Sequence, residues 1–150
     1  MSLIEKITAD LKAAMLARDE FTTMTLRGLK SAILYEEVEK GKRDEGLTDE
    51  EIQVVVAREV KKRDDAAKLY VSAGEQDRAD KEVKENEILA VYLPTQLSSD
   101  ELRTVIGNII VENNFEQKDM GKIIAATKAK VGLAASGEKI VTTLKQEFFN

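Results

Sequence analysis

Apolar residues recur at intervals of three and four along most of the chain, which is the spacing of one face of an α-helix. The pattern predicts a first helix over about 3–17, opened by a capping box of Ser2 and Glu5. A second helix, capped by Asp19, is predicted to end at Gly41. No convincing strand alternation or internal repeat interrupts this pattern, so every regular element is predicted to be helical.

Two further helices are predicted after a charged loop at 41–47. Thr48 and Glu51 form a second capping box that opens a long third helix ending near Gly74, and a fourth helix continues to Tyr92. Apolar residues of the second helix spread around most of its circumference, which indicates packing against more than one neighbour. Four helices of this kind suit a bundle or long helical hairpins.

The single proline of the chain marks the predicted domain boundary. Pro94 disfavours helix at Leu93, so we expect an N-terminal helical domain at 1–93 and a C-terminal domain at 94–150. Ser98 begins the first of three short amphipathic helices in the second part. The predicted fold class is therefore all-α, with an N-terminal bundle or hairpin domain of about four helices and a small three-helix C-terminal domain.

Composition removes the commonest catalytic groups. The chain contains neither cysteine nor histidine, which excludes disulfides, thiolate nucleophiles, imidazole bases and metal sites built from these residues. Acidic pairs such as Asp64 and Asp65 lie beside lysine or arginine, in stretches that we interpret as solvated helix faces. We therefore expect no catalytic residue, no bound metal and no cofactor.

Two short motifs near the C-terminus have simpler structural interpretations. The segment from Gly132 to Gly137 has the glycine spacing of a phosphate loop, but Glu138 stands where that loop requires lysine. Ser136 and Lys139 match the Ser-x-x-Lys motif of some serine hydrolases, but the companion motifs are missing. A corner between two helices, with Ser136 as a helix N-cap, explains both patterns.

The N-terminus and the length of the apolar runs bear on location. Charged residues lie within the first apolar stretch, which is not the pattern of a secretory signal peptide. The apolar runs are far shorter than the ~18 residues that a membrane helix needs. From these observations we expect a cytoplasmic protein without a membrane partner.

Charge is unevenly distributed along the chain. The net charge is −5, and residues 1–93 carry all of it, since residues 94–150 hold seven basic and seven acidic residues. The C-terminal part is thus the better candidate for a phosphate-contacting surface, and the densest basic cluster of the third helix could support it. The candidate nucleic-acid-binding residues are Lys118, Lys122, Lys128 and Lys130, with Arg58, Lys62 and Arg63 in support. The alternative interpretation of both sets is an ordinary solvated surface.

Several segments resemble one known family. Residues 87–102 resemble the I-L-x-x-Y-L-P-x-Q-L-S-x-x-E-L signature of the YqeY family, and residues 25–33 resemble its early L-R-x-x-K-x-A-I segment. Residues 119–122, Asp-Met-Gly-Lys, resemble a further motif of that family, and so does the small-residue corner ending at Gly137. These segments occur in the expected order and span nearly the whole chain.

The resemblance implies a function as well as a fold. The YqeY family is related to the C-terminal tail of the GatB subunit of glutamyl- and aspartyl-tRNA amidotransferase, which engages the tRNA body while other domains transfer the amide. The resemblance therefore implies a non-catalytic, tRNA-linked accessory module that could associate with amidotransferase or aminoacyl-tRNA synthetase complexes. The family's label of glutamine-dependent carbon–nitrogen ligase activity is interpreted as inherited from the whole enzyme. The alternative is a protein-interaction module that docks through the long acidic helices without nucleic acid.

Overall fold

The structure is a computed structural model that describes residues 1–149, and these form seven α-helices and no β-strand. The predicted all-α class is confirmed. The helices are α1 (Leu3–Leu16), α2 (Glu20–Glu39), α3 (Asp49–Ser72), α4 (Gln76–Leu89), α5 (Ser99–Asn113), α6 (Met120–Val131) and α7 (Gly137–Glu147). Short 3-10 turns follow α4 (Ala90–Tyr92), precede α6 (Gln117–Asp119) and follow α6 (Gly132–Ala134).

Side chains at the predicted N-caps set the starts of the helices. Capping boxes form at the starts of α1, α3 and α5, where Ser2, Thr48 and Ser98 each accept a hydrogen bond from the backbone N–H three residues later. Asp19 caps α2 through the Thr22 N–H, and Ser136 caps α7 through the Lys139 N–H. One predicted boundary differs. The fourth helix loses α-helical geometry after Leu89, because the chain tightens into a 3-10 turn and becomes extended at Leu93, before Pro94.

Contacts within the chain divide it into two compact units, Met1–Leu93 and Pro94–Asn150. The core of the first unit joins all four of its helices around ten buried residues. These are Ile7, Leu26, Leu29, Ile33, Leu47, Ile52, Val55, Val56, Leu89 and Tyr92. Independent folding of the two predicted domains stays a prediction.

One buried polar contact ties the end of the first unit to its beginning. Tyr92, which is only 3% exposed, donates a hydrogen bond of 2.6 Å from its hydroxyl to Oδ2 of Asp10 on α1. Burial and the neighbouring carboxylate raise the pKa of Tyr92 well above its ordinary value. The phenol is therefore held in its protonated, hydrogen-bonding form.

The second unit packs α5, α6 and α7 around Leu102, Ile106, Ile123, Ile140 and Leu144. The segment before α5 is fastened to the corner between α6 and α7 by three hydrogen bonds. The Leu97 N–H donates to the Ala134 carbonyl at 2.8 Å, and the Gln96 amide donates to the Leu133 carbonyl at 2.9 Å. The Lys139 ammonium donates to the Leu97 carbonyl at 2.5 Å. The beginning of this unit is therefore part of its packed structure.

Candidate nucleic-acid interface

The four candidate lysines of the second unit all lie on α6 or directly before it. Lys118 belongs to the 3-10 turn that precedes α6, Lys122 to the first turn of α6, and Lys128 and Lys130 to its last turn. All four side chains are exposed. The two lysines of the last turn also suit the negative end of the helix dipole.

Pairing within the unit leaves most of these charges available. Lys118 lies 3.5 Å from Glu116, but both side chains are mostly exposed, so the pair contributes little. Lys122, Lys128 and Lys130 form no ion pair with any residue of the described range 1–149. Helix α6 itself contains no acidic residue. Its surface is therefore positive without internal compensation.

The face between Lys122 and Lys128 carries only small side chains. At 3.6 residues per turn these two lysines stand about 120° apart around the helix axis. The exposed residues between them are Gly121, Ala125 and Ala129, while Ile123 and Thr127 face the core. A rigid, negatively charged backbone could lie close to this face and reach both ammonium groups. Lys130 lies outside this face, about 80° beyond Lys122.

Lys128 extends from α6 towards the beginning of α7. A Cβ placed at Gly137 would lie 3.1 Å from Cε and 3.2 Å from Nζ of Lys128, so the lysine lies directly over this glycine. Gly137 is the first residue of α7, where backbone N–H groups point out of the helix. An anion held by Lys128 would therefore lie near the positive end of the α7 dipole, but also near the acidic Glu138 in the same first turn.

The supporting basic residues of the first unit, unlike the lysines of α6, form ion pairs with acids of the same unit. Arg58 pairs with Glu36 of α2 at 3.1 Å, and Lys62 pairs with Glu59 one turn away at 3.1 Å. Arg63 has a side chain only 15% exposed, and it binds Glu85 of α4 at 2.9 Å. Arg58 and Arg63 thus join α3 to its neighbours. The sequence signal of a basic cluster did not reveal these two acidic partners on other helices, each 22 residues away.

Both residues of the Ser-x-x-Lys motif, Ser136 and Lys139, make hydrogen bonds that hold the start of α7 in place. The Ser136 hydroxyl accepts a hydrogen bond from the Lys139 backbone N–H at 3.1 Å, while the Lys139 ammonium is bound to the Leu97 carbonyl. The ammonium is therefore directed away from the hydroxyl that it would have to activate.

Among residues 1–149 no cluster of three or more acidic residues could hold a metal ion. Within the same residues no helix is both long and apolar enough to cross a bilayer.

Sequence reasoning gave no role to an exposed region on α2. Arg27, which is exposed, and Lys30, which is half-buried, form no ion pair within the described residues, and the one side-chain hydrogen bond of Arg27 there goes to the sulfur of Met15, at 3.9 Å. Met24 and Tyr35 on the same helix are each 67% exposed. The apolar residues around most of the circumference of α2 were interpreted as packing against more than one neighbouring helix. The helix does pack on α1, α3 and α4, but Met24 and Tyr35 remain mostly exposed.

Together these features define a small all-helical protein of two compact units with an acid-free, lysine-bearing helix in the second. The chain belongs to the YqeY family, since the family model described as "Yqey-like protein" matches residues 4–148. The family resemblance noted in the sequence is confirmed.

Three curated relatives match as well, each named "Altered inheritance of mitochondria protein 41, mitochondrial". The protein of Clavispora lusitaniae is 32% identical over 101 residues, covering 67% of this chain and 57% of the relative. That of Lachancea thermotolerans is 26% identical, covering 97% and 80%. That of Kluyveromyces lactis is 33% identical over 89 residues, covering 59% and 47%. The chain thus spans between about half and four fifths of the length of these relatives.

These names correct one expectation from the sequence. The cytoplasmic location was wrong on this comparison, because all three relatives are named as mitochondrial proteins. The inference rested on charges that exclude a secretory signal peptide. Such charges do not separate the cytoplasm from a mitochondrion, since mitochondrial proteins carry no secretory signal.

Proposed function

We propose that this chain is a non-catalytic accessory module that binds structured RNA, specifically tRNA, through α6 and the turn before it. The residues that contact phosphate are Lys118, Lys122 and Lys128, with Lys130 in support beside the face. Structured RNA is recognised mainly by its shape and backbone, which a rigid helix bearing lysines can follow. The relation of the YqeY family to the GatB tail supports tRNA as the substrate class and an amidotransferase or synthetase complex as the setting.

One observation carries this proposal. Three exposed lysines occur on a single helix that has no acid and no ion pair to neutralise them, within a protein of net charge −5. Surface lysines in such a protein are ordinarily interleaved with acids, as they are on α3. Each phosphate contact releases counterions, so a local excess of cations can bind a polyanion despite the opposite overall charge.

Docking through the long acidic helices is the second candidate from the sequence. In the first unit Glu36, Glu51, Glu59 and Glu85 are engaged in ion pairs with lysine or arginine of the same unit. A cationic partner that docks on these four acids would have to displace their pairs, although exposed acids such as Glu50 and Glu87 form no ion pair with a described residue. The acid-free α6 requires no such exchange, which is why RNA binding is the proposal we favour.

Electrophoretic mobility of the pure protein with total tRNA across a salt series tests the proposal. Three phosphate contacts predict that affinity falls about 40-fold when the salt concentration rises fourfold. Lys122→Glu should weaken binding and reduce the slope of log affinity against log salt by about one. No binding at low salt, or an affinity independent of salt, would overturn the proposal.

A matched control separates the α6 surface from net charge. Lys81 on α4 is also exposed and forms no ion pair with a described residue. Lys81→Glu changes the total charge by the same amount as Lys122→Glu, in the other unit. We expect it to leave tRNA affinity nearly unchanged. An equal loss in both variants would show that bulk charge, and not α6, governs binding.

A further inference from the structure

Helix α2 presents an exposed apolar face that nothing in its own unit covers. Met24 and Tyr35 are each 67% exposed, Val38 is 60% exposed and Leu34 is 42% exposed. Their spacing places them on one side of the helix, together with Arg27, Gly28 and Ser31. We call these seven residues the α2 face. They include no acidic residue.

Among the acids of α2, Glu36 and Glu37 lie off the face, whereas the exposed Glu20 lies in line with it at the start of the helix. Glu36 and Glu37 are half-buried and pair with Arg58 at 3.1 Å and Arg43 at 3.6 Å. The face is therefore apolar with a single cation, and it lies on the long central helix of the first unit. Isolated exposed apolar residues are common, but a contiguous set along one helix is typical of an interaction surface.

Small residues occupy the middle of the α2 face. Gly28 and Ser31 are both exposed, and a Cβ added at Gly28 would meet nothing within 4 Å. Packing within the unit thus gives no reason for glycine in a helix interior, where it is less favourable than alanine. A second backbone that approaches closely at this point would give such a reason, as small residues do in closely packed helix pairs.

We propose that the α2 face is an interface between two copies of this chain, with their α2 helices antiparallel and meeting at Ser31 on a two-fold axis. Residues at about equal distances from Ser31 then face each other. Tyr35 of one copy lies over Gly28 of the other, and Met24 lies against Val38. Arg27 lies beside the Tyr35 ring, an arrangement that favours a cation–π contact. The pattern of large and small residues is thus complementary to itself, as a two-fold interface requires.

Charges beyond the ends of α2 complement each other in the same arrangement. Arg18 precedes α2 and Asp44 follows it, each thirteen positions from Ser31. Both are exposed and neither forms an ion pair with a described residue. The two-fold operation places Arg18 of one copy at the same end as Asp44 of the other.

Cysteine cross-linking tests the register directly, because the natural chain contains no cysteine. Ser31→Cys should form a disulfide-linked dimer on mild oxidation, since a disulfide needs Cα atoms within about 7 Å. Ser72→Cys is the matched control, an exposed serine at the end of α3 outside the α2 face. In a dimer the two thiols introduced at position 31 have an effective concentration in the millimolar range. At micromolar protein Ser31→Cys should therefore cross-link on the order of 100-fold faster than the control.

Sedimentation equilibrium supplies an independent readout. We expect the wild-type chain to be dimeric at about 100 μM, Tyr35→Glu to be monomeric, and Leu69→Glu to remain dimeric. Leu69 is 72% exposed on α3, so it matches Tyr35 in exposure but lies off the face. Circular dichroism of both variants controls for folding. A monomeric wild-type chain, a dimer that survives Tyr35→Glu, or equal cross-linking of the two cysteine variants overturns the proposal.

Discussion

Removing the Tyr92 hydroxyl tests how strongly the end of the first unit is held to α1. The phenol donates to Asp10 at 2.6 Å and is almost fully buried, and hydrogen bonds to charged groups contribute about 1.5–3 kcal/mol. Asp10 is only half-buried, so water can replace the lost donor and the lower part of that range applies. We expect Tyr92→Phe to lower the free energy of unfolding by about 1.5 kcal/mol. For a unit of this size each kcal/mol corresponds to about 4–8 °C in Tm.

A double-mutant cycle isolates the contact from other effects of the substitution. Urea unfolding, followed by far-ultraviolet circular dichroism, gives the free energies for wild type, Tyr92→Phe, Asp10→Ala and the double variant. The coupling energy should be about 1 kcal/mol or more, because both residues share one hydrogen bond. A coupling energy within about 0.3 kcal/mol of zero would refute the reasoning.

The same contact predicts a dependence on alkaline pH. The pKa of Tyr92 is raised in the folded protein, so the unfolded phenol ionises first, near its ordinary pKa of 10.0. The stabilisation is therefore complete below about pH 10 and is lost as the pH rises towards the folded pKa. Wild type should lose stability above pH 10 more steeply than Tyr92→Phe, which has no group to ionise at this position.

Two further substitutions probe helix ends. The pKa of Glu51 is lowered to about 2 by the Lys42 ammonium at 2.7 Å and by the Thr48 N–H. The ionised Glu51 therefore stabilises the folded protein fully above about pH 4.5, and this contribution is lost as the pH falls towards 2. In urea titrations the free energy of unfolding of Glu51→Gln should therefore decrease less steeply over this pH range than that of wild type. Parallel curves would contradict this. Asn114 has φ +54 at the end of α5, so Asn114→Ala should cost about 1 kcal/mol in thermal unfolding, whereas Asn114→Gly should cost less. Equal Tm values for these two variants would argue against backbone strain.

Local signals in the sequence account for most helix boundaries. Capping boxes at Ser2, Thr48 and Ser98 act within three residues, so they can be recognised without knowledge of the fold. Gly41 likewise has positive φ just after α2. The exact end of α4 was missed, because the 3-10 turn at 90–92 depends on the buried position of Tyr92 as well as on the following proline.

The candidate site was predictable only in part. Lys122 and Lys128 could be proposed from charge and helix position, and the structure adds that they flank a face of small residues. The engagement of Arg63 with Glu85 was not predictable, because it joins side chains of two helices that are 22 residues apart. Exposure of Met24 was not predictable either, since helical periodicity shows which residues share a face but not which faces find a neighbour.

The three hydrogen bonds that hold Gln96 and Leu97 to the α6–α7 corner determine where the chain can be cut. A truncation that starts at the helix cap, Ser98, would keep every helix of the C-terminal half intact. It would nevertheless leave the Leu133 and Ala134 carbonyls and the Lys139 ammonium without their partners. Workable fragments of this half therefore have to retain Gln96 and Leu97, and affinity tags belong upstream of them.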